Sequence, residues 1–192
     1  MKHSFFAMLS RMKYIPRWAL MRNERQENIA EHTTDVAFLA HALAEITNRR
    51  FGGSVDVEKC VMLALYHDVP EIITGDMPTP VKYHDDEIRE AFKKVEYGAA
   101  KRILKQLPED LKPAYEPYLL PEDCLEKRLC KAADKLSALI KCIEEEQSGN
   151  IEFSKAKEST EKALCEMDLP AVSVFMREFL PSYSLTLDEQ EE

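Results

Sequence analysis

The chain has 192 residues, 45% hydrophobic and 32% charged, a size that suits one globular domain with a sizeable core, expected over residues 1–192. Its formal charge of −9 excludes a duplex nucleic-acid binder, which needs a basic face against phosphates, while a small anion held by a few local cations stays compatible. Only five glycines, and long stretches at helical spacing, predict an all-α fold.

Phe5, Met8, Leu9 and Met12 recur at helical spacing from Ser4 to about Tyr14, and Pro16 stops the pattern. Arg17 and Trp18 follow in a loop, where the bland reading of the chain's sole Trp is a hydrophobic plug over the core. Asn28-Ile29-Ala30-Glu31 has the cap and acid that open a helix with Val36, Leu39, Leu43 and Ile46 inward, and His32 lies on that inward face. A lone inward His is ordinarily a satisfied core residue; His41 falls on the solvent face.

Asp56 caps the next helix, whose apolar run ends in His67-Asp68. Val69 is disfavoured in helical geometry by Pro70, which suits the first turn of a new short helix carrying Glu71 and ended by Gly75. Burying ionisable groups beside Leu63, Leu65, Ile72 and Ile73 costs several kcal/mol without a partner, and a divalent cation suits both an imidazole and a carboxylate. A metal site at a helix end is therefore favoured at His67-Asp68. The dipeptide alone is weak evidence, because His84-Asp85 repeats it; there Asp85 reads as an N-cap followed by first-turn acids. Glu71 also has an ordinary reading, a first-turn acid favoured by the helix dipole.

Asp76 to Lys82 is expected to be a stiff loop, since Pro78 and Pro80 restrict their neighbours. A long helix over about 85–107 should bury Ile88, Phe92, Val95, Ala99 and Ile103. Pro108, Pro113, Pro117 and Pro121 mark a connection with at most short helical turns. The next helix, about 122–146, points Leu125, Leu129, Ala132, Leu136, Ile140 and Ile143 inward and carries Asp134 on the shoulder of that stripe. Asp134 reads either as an exposed acid paired with a lysine one turn away or as the ligand that closes the site. Two further helices carry Phe153 and Leu164, then Val174, Phe175 and Phe179, before an acidic tail, about 184–192, expected to be loosely ordered. The five cysteines form no Cys-x-x-Cys spacing and read as mostly buried thiols in a reducing compartment. Without a signal peptide or a membrane span, the expected location is the cytoplasm.

His32, His67-Asp68 and Asp134 give the order His, His-Asp, Asp, in which the chain resembles the HD-domain metal-dependent phosphohydrolases. It is more similar still to their bacterial 5′-deoxynucleotidase branch, through Arg17-Trp18, Asn28-x-x-Glu31-His32, His67-Asp68-x-x-Glu71, Ala133-Asp134, Lys141-Cys142 and above all Thr74-Gly75-Asp76-x-Pro78-Thr79-Pro80-Val81-Lys82. Val69-Pro70 departs from the small pair expected before Glu71. The resemblance implies an HD-type helical bundle that forms homodimers and removes phosphate from 2′-deoxyribonucleoside 5′-monophosphates, whatever the base, with no nucleic-acid or membrane partner. It implies one divalent ion, such as cobalt, on His32, His67, Asp68 and Asp134, with manganese, zinc, nickel, iron and magnesium as alternatives.

On this reading Glu71 handles the proton and Arg17 forks two phosphate oxygens. Trp18, His32, Thr79, Pro80, Val81 and Lys82 contact substrate, and Asp76 accepts the sugar 3′-hydroxyl in a fit that disfavours a 2′-hydroxyl. The alternatives are another HD nucleotide phosphohydrolase, a triphosphatase or phosphodiesterase, and a non-catalytic module tied together by a structural metal.

Overall fold

A computed structural model describes residues 3–82 and 84–191. Among them no β-strand occurs, only an antiparallel bridge between Pro16 and Asn28, so the all-α expectation holds. In chain order the helices are α1 Phe5–Leu9, α2 Ile29–Phe51, α3 Val57–Tyr66, α4 Glu71–Thr74, α5 Thr79–Lys82, α6 Asp86–Leu104, α7 Lys112–Leu119, α8 Leu125–Gln147, α9 Ser154–Cys165, α10 Pro170–Glu178 and α11 Leu187–Gln190.

Local signals set the boundaries. Asn28 accepts from the Ala30 and Glu31 N–H groups while Glu31 reaches back to the Asn28 N–H, so two orphan donors of α2 are satisfied reciprocally. At its other end Gly52 takes φ 64°, the left-handed conformation a side chain disfavours, and closes the helix. Asp56 caps α3 through the Lys59 N–H, and Asp85 caps α6 through the Ile88 N–H at 2.7 Å, as its sequence context predicts. In the tail, a capping box between Thr186 and Glu189 forms the single turn α11; Glu192 lies outside the described residues.

The main core is where α2, α3 and α8 pack together with α10, around Val36, Leu43, Leu63, Leu129, Leu136 and Leu139. Each fully buried Leu contributes roughly 1.5–3 kcal/mol, and Leu136→Ala would cost about 2–5 kcal/mol. A second cluster joins Phe5 and Met12 to Ile29, Val69, Ile103 and Leu119 beneath the His67-Asp68 turn. Helices α2, α3 and α8 are the three that carry the His, His-Asp and Asp positions, so the core fixes their relative placement.

Four expectations need correction. Val95 is 55% exposed, because the buried residues of α6, Phe92, Ala99, Ala100 and Ile103, centre the stripe toward the Glu96 side of the helix. Leu125 is 40% exposed although it lies on the α8 stripe; it is the first residue of that helix, and helical side chains lean toward the N-terminus, past the shielding turn. The proline-rich connection contains the eight-residue helix α7, with Pro113 in the first turn, where a missing N–H costs nothing, and Pro117 inside. Thr79–Lys82 is a helical turn rather than an irregular loop, with the Val81 and Lys82 N–H groups donating to the Pro78 carbonyl. Three of the five free cysteines, Cys60, Cys130 and Cys142, are buried, and Cys165 is exposed.

Candidate metal centre and active site

His32 sits one turn into α2 and is completely buried; His67 is the C-cap of α3, with Asp68 next in the chain. One potential ligand atom from each of these three residues lies within 4.8 Å of the other two. His32 Nε2 is 3.5 Å from Asp68 Oδ2 and 3.1 Å from Asp134 Oδ1, and His67 Nε2 is 3.2 Å from Asp68 Oδ2. Asp134 thus joins the triad through His32, its side chain 39% exposed.

The imidazoles are oriented from behind. His67 Nδ1 lies 2.7 Å from the Ala64 carbonyl, which can only accept, so Nδ1 carries a proton and Nε2 is the nitrogen left to offer a lone pair to a cation once it gives up its own proton. That buried Nε2 makes no well-aligned hydrogen bond, with Asp68 Oδ2 beside it at 3.2 Å, so a cation set between the two would satisfy both. His32 Nδ1 is held at 3.0 Å by Ser137 Oγ, one turn beyond Asp134 on α8. Two imidazole nitrogens and two carboxylates fit a divalent cation, and these four residues would hold it.

The electrostatics agree. Burial by itself lowers His67, but Asp68, Asp134 and the Ala64 carbonyl push it up to about 9. Burial raises Asp68 and Asp134, yet the adjacent imidazoles, with Arg17 at Asp134, hold both carboxyls below the ordinary range. The cluster stabilises added positive charge. Glu71 behaves oppositely: burial, Asp68 and Asp76 raise it to about 9, against the pull of Lys82 and Arg17. Its Oε2 is buried and unpartnered. Asp76 is raised as well, chiefly by burial, with Arg17 and the Trp18 N–H opposing.

A cavity of about 700 Å³ opens over this cluster, lined in part by Arg17, Trp18, Asp68, Glu71, Asp76 and Asp134. Arg17 reaches Asp68 Oδ2 at 3.6 Å; burial would lower its pKa, and the surrounding carboxylates more than compensate, so it stays a cation. Trp18 is half-buried with φ 58°, its N–H donating to Asp76 Oδ2 at 3.2 Å and its ring 5.2 Å from that of Phe153. It therefore lines the cavity as well as covering Phe153. Pro78, Thr79, Pro80 and Lys82 also line it, with Lys82 Nζ 2.8 Å from Glu96 and over the Phe92 ring. Val81 is 45% exposed and is absent from the lining.

Sequence reasoning missed the residues that hold this wall. A single carboxylate oxygen of Glu27 accepts from both Arg17 Nε and Trp18 Nε1. Farther along the same loop, Glu145 of α8 accepts from the Glu24 and Arg25 N–H groups, Asn150 and Lys141, while Lys141 also donates to the Arg25 carbonyl at 2.6 Å. The Lys141 to Glu145 spacing of four residues was a legible signal of pairing. Ser137, three residues after Asp134, was legible as sharing its helix face. Nothing in local spacing marks Glu27.

The family model described as 5′-deoxynucleotidase YfbR-like matches residues 4–183. A 5′-deoxynucleotidase of Yersinia pestis (strain Pestoides F) is 48% identical over 190 residues, covering 96% of this chain and 95% of that protein. Among solved structures, an HD-domain phosphohydrolase from Listeria innocua is similar at 26% identity and TM-score 0.83, over 98% of this chain and 92% of that one. A protein from Pyrococcus horikoshii is also similar, at 26% identity and TM-score 0.70, over 94% and 97% of the two chains. Among the described residues, no helix is long and apolar enough to cross a membrane.

Proposed function

This chain belongs to the YfbR-like 5′-deoxynucleotidase family, an enzyme family of phosphohydrolases, and on that premise we propose that it hydrolyses 2′-deoxyribonucleoside 5′-monophosphates, discriminates against ribonucleotides and tolerates any base. The observation that carries the reading is the meeting of His32, His67, Asp68 and Asp134 at the edge of a cavity that Asp68 and Asp134 line together with Arg17, Trp18, Glu71 and Asp76, the two imidazoles lying behind the lining. When bound by those four ligands, a divalent ion supplies polarisation of the phosphoryl group and a lowered pKa for water.

The chain's own groups do the rest. Arg17, its Nε fixed by Glu27, turns its remaining N–H groups toward the phosphate oxygens. Water adds to phosphorus as the P–O5′ bond breaks, leaving inorganic phosphate and a nucleoside 5′-hydroxyl. Glu71, lining the cavity with one oxygen unpartnered, handles the proton moved in this exchange. Asp76, held by the Trp18 backbone N–H, receives the sugar 3′-hydroxyl in a fit that disfavours a 2′-hydroxyl, with the Trp18 ring lining the same cavity; Thr79, Pro80 and Lys82 complete the sugar and phosphate side. A ring face reads no base edges, which supports base tolerance. A single domain over residues 1–192 and a cytoplasmic location, read from the sequence's size and composition, complete the same reading, with cobalt as an activating ion and a homodimer resting on the family likeness.

The experiment is phosphate release from dAMP against AMP, after chelation and again after add-back of divalent metal. Release from dAMP only, lost on chelation and restored by metal, is expected. Equal rates on the two nucleotides overturn the sugar selectivity, and activity surviving exhaustive chelation overturns the metal dependence.

A further inference from the structure

We propose that Glu27 is a positioning residue that sets deoxyribose-over-ribose discrimination by holding the phosphate fork of Arg17 and the indole of Trp18 on one carboxylate oxygen; this rests on the phosphatase reading above. Glu27 Oε2 accepts from Arg17 Nε at 2.9 Å and from Trp18 Nε1 at 3.1 Å. Adjacent side chains on an extended backbone point to opposite sides. Here the left-handed backbone at Trp18, φ 58°, turns the two toward a common acceptor, a conformation uncommon for a bulky residue and retained only where its surroundings hold it.

Those surroundings are specific. Glu27 is itself fixed, because its carbonyl accepts the Arg17 N–H at 2.9 Å beside the Pro16 to Asn28 bridge. Its side chain is 12% exposed and that of Arg17 is 11% exposed, so water competes little for the shared oxygen. Using Nε for Glu27 commits one edge of the guanidinium and aims NH1 at Asp68, 3.6 Å away, on the ligand cluster. The indole is held at Nε1 by Glu27, against Phe153 by ring packing, and at its own backbone N–H by Asp76. Glu27, Trp18 and Asp76 are therefore linked through direct hydrogen bonds, with the proposed sugar acceptor at the far end. Movement of the indole would open the space that a 2′-hydroxyl needs, while the fork would lose its aim at the phosphate.

Trp18 is the sole tryptophan, so its emission reports its own surroundings without interference. The test measures emission maximum, acrylamide quenching, and kcat and KM for dAMP and AMP in the parent, Glu27→Gln and Glu27→Ala, with far-UV circular dichroism as the check on folding. Expected for folded Glu27→Ala are a red-shifted, more quenchable Trp18, a higher KM for dAMP and a dAMP-to-AMP ratio of kcat/KM lower by about ten- to a hundredfold. Glu27→Gln, which keeps an acceptor oxygen without the charge, falls between parent and Ala, and it carries the test alone should Glu27→Ala not fold. A parent that prefers dAMP, with folded variants at parental emission and parental ratio, overturns the role of Glu27. A parent without sugar preference instead overturns the sugar reading itself and this role with it, and emission then shows whether Glu27 holds the indole at all.

Discussion

Replacing Glu145 by Gln removes one buried charge and nearly nothing else. The carboxylate is 2% exposed and takes hydrogen bonds from Lys141, from the Glu24 N–H at 2.9 Å and Arg25 N–H at 3.3 Å, and from Asn150 at 2.8 Å. Burial raises its carboxyl, but the four donors outweigh burial and bring it from an ordinary 4.5 to about 2. Because the folded value lies below the unfolded one, this stabilisation is fully present above about pH 4.5 and disappears as pH falls through about 2. At about 1.4 kcal/mol for each pH unit, the contribution is about 3 kcal/mol. Breaking a buried ion pair from one side, which strands Lys141, costs about 3–5 kcal/mol by independent reasoning. The two magnitudes agree. Urea denaturation of parent and variant at pH 7, 5 and 3 is therefore expected to show the variant about 3 kcal/mol less stable at pH 7, with the gap closing below pH 4.5. A gap under about 0.5 kcal/mol at pH 7, or one unchanged down to pH 3, would refute the reasoning.

The other expectations concern the cavity. Glu71→Gln should lower kcat by about 10²–10⁴-fold while the protein keeps its metal; parental kcat would remove Glu71 from proton handling. Asp76→Ala should bring the dAMP-to-AMP ratio of kcat/KM toward unity, and an unaltered ratio would mean that Asp76 does not read the sugar. Arg17→Lys keeps the charge but loses the planar fork and the Nε bond to Glu27, so kcat/KM for dAMP should fall by at least about tenfold; a fall of less than about twofold would show that charge alone suffices.

The helices were legible because their signals are local. Asn28 with Glu31, Asp56, Asp85 and Gly75 each act within a few residues, and apolar spacing showed that His32 faces inward on α2. That His32, His67, Asp68 and Asp134 come together was legible only when several weak positions were read together with the Thr74 to Lys82 run. Periodicity misplaced Val95 because the face of α6 that packs inward is centred toward Glu96, and Leu125 because it is the first residue of α8 and has no turn before it to shield it. It also missed α7, where Pro113 sits in the tolerant first turn but Pro117 lies inside the helix against the usual rule. The loop carrying Arg17 and Trp18 is held by Glu27 and by Glu145, partners that local spacing does not reveal: Glu27 lies nine and ten residues along the chain, and Glu145 binds the Glu24 N–H from 121 residues away.

The proposed hydrolysis depends on one ion shared by side chains from α2, the end of α3 and α8. Elemental analysis of metal per chain, on protein dialysed against divalent metal and then desalted, tests this directly in the parent, His67→Ala and Asp134→Ala, each verified as folded by circular dichroism. One equivalent in the parent, with that equivalent lost from both variants, is the predicted result. A parent that retains no metal, or variants that retain as much as the parent, would contradict it.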